Sequence, residues 1–277
     1  MKRKLYFWII AVLLTLIAAV YQRVTGPTYP KKIKITLNAH EIKGMLPRSG
    51  TTGANTQIEL GNVPENITAT LFYKRFPTND IYISEPFEKK GSNIVAFLPS
   101  QLAAGKLAYY IQLDDGKNPI NIFDRQPVVI RFKGDVPTIV LIPHIFFIFF
   151  AMLLSTLAGI FALGKVESYK FWSWMALSFL FLGGMIFGPI VQFYAFGEAW
   201  TGFPIGYDLT DNKTLIAFLA WLVALLLNWK KERPILIVGA AAVLLIIFSI
   251  PHSVMGSQLN YDSGKIVTGL ISVLHIL

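Results

Sequence analysis

Long uninterrupted apolar runs dictate what this chain can become. LYFWIIAVLLTLIAAVY covers residues 5–21, and four more runs occupy 138–163, 171–196, 214–229 and 234–250. Inside a bilayer no water is present to bond backbone N–H and C=O groups. An apolar run of about 17–25 residues therefore resolves as a helix, whose backbone is satisfied internally. Each run can cross a hydrocarbon core of about 30 Å at about 1.5 Å per residue, the one at 214–229 only just. A last stretch, IVTGLISVLHIL (266–277), is short and reads as a marginal sixth helix or a re-entrant segment. The expected fold class is thus a membrane protein, an α-helical transmembrane bundle of five or six segments.

The apolar residues, 54% of the chain, collect in blocks separated by a long polar stretch. The basic start MKRK followed by an apolar run reads as a signal peptide or signal anchor. YQRVTG follows it rather than a clear small-residue cleavage site, although IAA at 17–19 leaves cleavage open. We take residues 1–25 as an uncleaved anchor and first transmembrane segment. Residues 26–135 are then an extracytoplasmic domain and 136–277 the helical membrane domain. Within the polar stretch, KIKITL (32–37), ITATLFYKR (67–75), NIVAFL (93–98), KLAYYIQL (106–113) and PVVIRF (127–132) run at or near period two. Turn signals such as RSGTTGAN, FPTND and DDGKNP separate them. Seven or so short strands predict an all-β sandwich of immunoglobulin or fibronectin type III kind, with another small antiparallel β-domain or a partly open barrel as alternatives.

Charge sets the orientation. With the N-terminus cytoplasmic, the inner loops 164–170 and 230–233 hold Lys165, Lys170, Lys230, Lys231 and Arg233 against Glu167 and Glu232. The outer loops 197–213 and 251–265 hold Lys213 and Lys265 against Glu198, Asp208, Asp211 and Asp262. Every short loop obeys the positive-inside rule. The expected location is the plasma membrane, the inner membrane of a bacterium, with lipid as the immediate partner. The net charge of +9 does not indicate nucleic acid, because no basic run is interleaved with stacking aromatics. The absence of cysteine excludes disulfides, thiolate metal sites and covalent haem attachment through C-x-x-C-H. No nucleophile–base pair, phosphate loop or nucleotide fingerprint indicates an enzyme.

One connector stands apart. FGEAWTGFPIGYDLTDNK (196–213) packs Trp200, Tyr207, two aspartates, Glu198 and three glycines between two apolar runs. His144, after Pro143, and His252, after Pro251, fall at the same outer membrane level. Taken singly these residues have ordinary roles. A histidine can be an interfacial polar group, Asp208 or Asp211 can cap the next helix, and Trp200 and Tyr207 can belong to an interfacial aromatic belt. Taken together, two imidazoles from distant segments flanking an aromatic platform suit a planar ligand such as haem, with Trp200 and Tyr207 as walls. The alternative is a divalent metal held by Glu198, Asp208, Asp211 and Asp262 with the imidazoles, for which DLTDN is only part of a calcium loop. A third reading is non-catalytic: a membrane-anchored interaction or scaffold protein whose β-sandwich binds a protein partner.

The connector also resembles the tryptophan-rich loop of the haem-handling membrane proteins of cytochrome c maturation, W-G-x-x-W-x-W-D followed by a helix starting T-W-x-L-I-x-W-L. FGEAW (196–200) matches the start with Phe196 for the first Trp, Tyr207-Asp208 stand for W-D, and DNKTLIAFLAWL (211–222) resembles the helix. Five extra residues, Gly202 to Gly206, separate the two halves, and only Trp200 is kept as Trp among the motif tryptophans. The resemblance implies an external haem-facing loop, with His144 and His252 in places comparable to that family's external histidines. The large β-domain has no counterpart in its small members.

Overall fold

The computed structural model describes residues 2–37, 40–117, 119–252 and 256–267. They form two compact units. One is helical and runs to Gly26 and from Val136 to Gly256; the other is Pro27–Asp135 joined by Ser257–Val267.

The helical unit contains α1 (Lys2–Thr25), α2 (Thr138–Leu163), α3 (Tyr169–Leu180), α4 (Gly188–Phe196), α5 (Leu209–Trp229) and α6 (Pro234–Ser249). A π-helical segment, Phe181–Phe187, joins α3 to α4, so that Tyr169–Phe196 is one continuous span. Among the described residues, four helices are long and apolar enough to cross a membrane. The fifth apolar helix, α6, is shorter, with 16 residues, about 24 Å at 1.5 Å per residue. α2 is central, and its small residues let neighbours approach: a Cβ on Gly159 would lie 2.7 Å from the Ala241 methyl of α6. Trp221 of α5, fully buried, donates its indole N–H to Ser155 Oγ of α2 at 3.1 Å. At one end of this unit, Arg3 donates to the carbonyl of Gly164 at 2.9 Å and Lys170 pairs with Glu232. The start of α1, the α2–α3 turn and the α5–α6 turn therefore share that end.

The β unit contains β1 (Lys31–Leu37), β2 (His40–Leu46), β3 (Ser49–Thr51), β4 (Thr56–Gly61), β5 (Thr68–Arg75), β6 (Ile83–Pro86), β7 (Glu88–Lys90), β8 (Asn93–Leu98), β9 (Lys106–Asp114), β10 (Ile120–Ile122) and β11 (Val128–Lys133). One sheet runs β1-β2-β4-β8-β7. The other runs β3-β11-β9-β5-β6, with β10 on β9, and β3 and β11 pair in parallel. Alternate residues of both sheets, among them Ile42, Ile58, Leu71, Ile111, Ile130 and Phe132, pack into one core. The five strands expected from period two correspond to β1, β5, β8, β9 and β11. Of the others, β4 also alternates, with Ile58 and Leu60 buried, but over only a few residues; the rest are short or, like β2, interrupted by glycine.

The segment after α6 departs from expectation. Ile266–Val267 do not start a membrane segment. They form β13, paired antiparallel with β12 (Gln258–Leu259). This hairpin belongs to the β unit: Leu259 N–H donates to Ala104 O at 3.1 Å, Arg131 donates to Ser257 O, and Lys106 Nζ donates to Gln258 Oε1 at 3.1 Å. The rest of the stretch expected at 266–277 lies outside the described residues.

Candidate polar site of the helical unit

The site starts from the first turn of α5. Asp208 caps the helix, its Oδ1 accepting from Thr210 N–H at 2.7 Å. Asp211, also buried, takes three bonds on Oδ2: from Thr201 N–H at 2.6 Å, Thr201 Oγ1 at 3.1 Å and Gln192 Nε2 of α4 at 3.0 Å. Asn212 Oδ1 accepts from Phe203 N–H at 2.7 Å. The connector is thus wrapped around the α5 N-terminus. Its entry needs glycine: Gly197 ends α4 at φ +82°, in the left-handed region. Gly202 is required by contact, since a Cβ there would sit 2.6 Å from Asp211 Cβ.

Lys213 continues the same turn. It is only 2% exposed, and its Nζ donates to the carbonyl of Ile250 at 2.7 Å, just beyond α6. That bond ties the α5 start to the segment holding His252. The next residue, Thr214, meets the π-helical segment: a Cβ on Gly184 would lie 2.6 Å from Thr214 Cγ2. On its other side this segment touches α2, where a Cβ on Gly183 would lie 2.9 Å from Ile148 N. His144 Nδ1 is 2.9 Å from Gly183 O. A carbonyl only accepts, so this bond puts the proton on Nδ1 and leaves Nε2 with its lone pair. The wide π turn lets the same carbonyl also accept the Gly188 N–H.

His252 follows Pro251 just beyond α6 and is exposed by its accessible surface, with protein packed on its other side. Burial, and then the neighbouring Lys213 ammonium and His144, holds its imidazole well below its ordinary range. The two histidines expected to share a site are thus within electrostatic reach of one another, with Lys213 beside them.

The remaining candidates lie elsewhere. Trp200 is half-buried and donates its indole N–H to Phe203 O at 3.0 Å, which makes it part of the connector's own packing. Tyr207 and Glu198 are exposed. Asp262 sits in the β12–β13 turn of the β unit, its N–H bonded to Asn260 Oδ1 at 2.9 Å. The four carboxylates therefore do not gather as one ligand set. Asp208 and Asp211 are engaged by the backbone they organise, and among the described residues no three His, Cys, Asp or Glu side chains are placed to hold a metal ion. Sequence reasoning had counted Lys213 only as a loop charge. The signal available was a lysine placed where a helix start favours acids, followed at once by a long apolar run. No family model, curated protein or solved structure matches the chain.

Proposed function

We propose that this is an integral membrane protein whose helical unit binds haem at an outward-facing site between His144 and His252. The observation that supports the reading best is that these two imidazoles, more than 100 residues apart in sequence, lie within electrostatic reach of one another, with Lys213 beside them. His144 is held in the tautomer that offers Nε2 to a metal, by the kind of backbone bond that orients imidazole ligands. His252, once neutral, would offer the second imidazole nitrogen. The basic end of the bundle faces the cytoplasm, α1 stays attached as an anchor, and the β unit lies outside.

The test is a visible spectrum of the detergent-purified chain expressed with haem supply. A Soret band that shifts on reduction and is lost in His144→Ala and His252→Ala is the expected result. A colourless protein under haem supply sinks the reading.

A second reading has its own observation. The chain from β6 to β7 carries one edge strand of each sheet, and Ile81 just before β6 and Ile83 at its start are 90% and 56% exposed. Such edges suit strand addition by a partner protein, as in an immunoglobulin-like interaction domain. Ile83→Lys on the edge would abolish that capture and leave the spectrum unchanged.

A further inference from the structure

The α5–α6 turn encloses a hollow of about 560 Å³ whose walls divide by chemistry. Leu226, Leu227 and Trp229, from the last turn of α5, make an apolar side, and Lys230, Lys231 and Arg233 make a cationic one. The three apolar side chains are 56%, 48% and 71% exposed. On a helix that crosses a bilayer, such surface is surface offered to lipid. The volume falls in the ~300–1,000 Å³ range of small-ligand sites.

The turn has a fixed shape. Asn228, buried at the end of α5, accepts the Arg233 N–H on its Oδ1 and so closes residues 229–233. Trp229 stands edge-on to Trp174 of α3, with ring centroids 5.6 Å apart. Glu232 is the one carboxylate of the turn, and it pairs with Lys170 of α3. Glu167 lies within electrostatic reach of that same lysine. Among the described residues, Lys230, Lys231 and Arg233 make no ion pair. The positive-inside pattern and the negative end of the α5 dipole account for cations at this turn. They do not account for an apolar-walled hollow beside the cations, or for Lys170 drawing away the carboxylate that would neutralise them.

We infer that this hollow seats an anionic phospholipid, its phosphate on Lys230, Lys231 and Arg233 and the start of an acyl chain along Leu226 and Leu227. Arg233 brings a planar fork of N–H donors suited to phosphate oxygens, and the two lysines add point charges. Trp229 lies between the charged and apolar walls, as an indole at the headgroup level does. Basic hollows at the cytoplasmic ends of membrane helices are suited to such headgroups. A free phosphate ester would use the cations and leave the leucines without a role. The inference is independent of the haem reading: it uses the last turn of α5, whereas the histidines lie near the first.

The test is native mass spectrometry of the full-length protein in detergent, counting bound lipid as dioleoylphosphatidylglycerol or dioleoylphosphatidylcholine is added. The wild type should hold its first phosphatidylglycerol about 10- to 100-fold more tightly than phosphatidylcholine, as three cations beside an anionic headgroup imply. Combining Lys230→Gln, Lys231→Gln and Arg233→Gln should bring the two lipids close to parity. Combining Lys2→Gln, Lys4→Gln and Lys165→Gln removes as many charges elsewhere at the same end of the unit and should keep the preference. Glycerol phosphate, the anion without acyl chains, should not displace phosphatidylglycerol at equal concentration. The wild-type ratio reads the inference even where the first triple variant fails to insert. Equal binding of both lipids to the wild type overturns it. So does a preference that survives the first triple variant or is lost equally in the second, and so does displacement by glycerol phosphate.

Discussion

At the scale of single residues, the connector hangs on two carboxylates with different duties. Asp208 supplies a helix cap, and Asp208→Ala should cost about 1 kcal/mol. Asp211 anchors Thr201 and Gln192 through charge-assisted bonds. Asp211→Asn keeps the shape and removes the charge, for an expected loss of about 1–2 kcal/mol, whereas Asp211→Ala strands the buried Thr201 N–H and should cost about 3 kcal/mol. Thermal midpoints together with protease nicking within 197–208 rank the three variants; equal effects would mean that Asp211 acts only through size. In the β unit, Lys106 is opposed directly by Arg131 across β9 and β11. Burial, and then that guanidinium, lowers its amine to about 8. The sign follows from linkage. Between about 8 and the ordinary 10.5 the unfolded chain holds the proton more tightly, so stability rises with pH across that window, and the cost of the buried charge is fully present below it. Lys106→Met should abolish this slope. Digestion of residues 30–133 by a protease active at both pH 8 and pH 10 measures it, and a wild type that is cut equally fast at both would contradict it.

At the scale of elements, the π-helical segment makes the polar site possible. It brings Gly183 against α2 and Gly184 against α5 at distances that admit no side chain. Gly184→Ala should cost about 1–3 kcal/mol by overpacking. The clash is with one methyl, Thr214 Cγ2, so Thr214→Ser should rescue it: serine drops that carbon and keeps the bond that Thr214 Oγ1 makes to Thr210 O at 2.9 Å. Failure of the double variant to recover would place the strain elsewhere. Gly183→Ala has no such remedy, because its neighbour is the Ile148 backbone. How much of this could be read in sequence divides along physical lines. The helix cap was legible, since Asp-x-Thr before an apolar run is a local signal. The π turn was not: FLGGMIF reads as ordinary packing glycine, and the widened turn depends on what His144 and Thr214 present from other helices. The β12–β13 hairpin was missed for a related reason. Its partners, Ala104, Lys106 and Arg131, lie more than 120 residues away, and a two-residue strand carries no periodicity of its own.

At the scale of the whole molecule, the division into a helical and a β unit was legible because it rests on run length and period, which are properties of composition over many residues. The convergence of Lys213 with His252 and His144 was only half legible. Proline neighbours and loop order placed the two histidines at one level, but the lysine joins them through Ile250, a contact fixed by how far α5 and α6 extend. The orientation of the whole remains a matter of charge, and the chain makes it easy to test because it has no cysteine. Single cysteines at exposed positions then report their own side without background. Arg3 to Gly164 and Lys170 to Glu232 put the α2–α3 and α5–α6 turns at one end of the helical unit. Glu167→Cys and Lys231→Cys should therefore behave alike, and with basic turns held inside, a membrane-impermeant maleimide should reach them only after the cells are permeabilised. Ser92→Cys on the β7–β8 turn and Glu198→Cys on the connector should react in intact cells. Labelling of all four in intact cells would show leaky membranes, and the reverse pattern would invert the protein. Labelling of Ser92→Cys without Glu198→Cys would break the alternation of spans that the positive-inside pattern requires, because an even number of crossings must separate residues 92 and 198 for both to face outward.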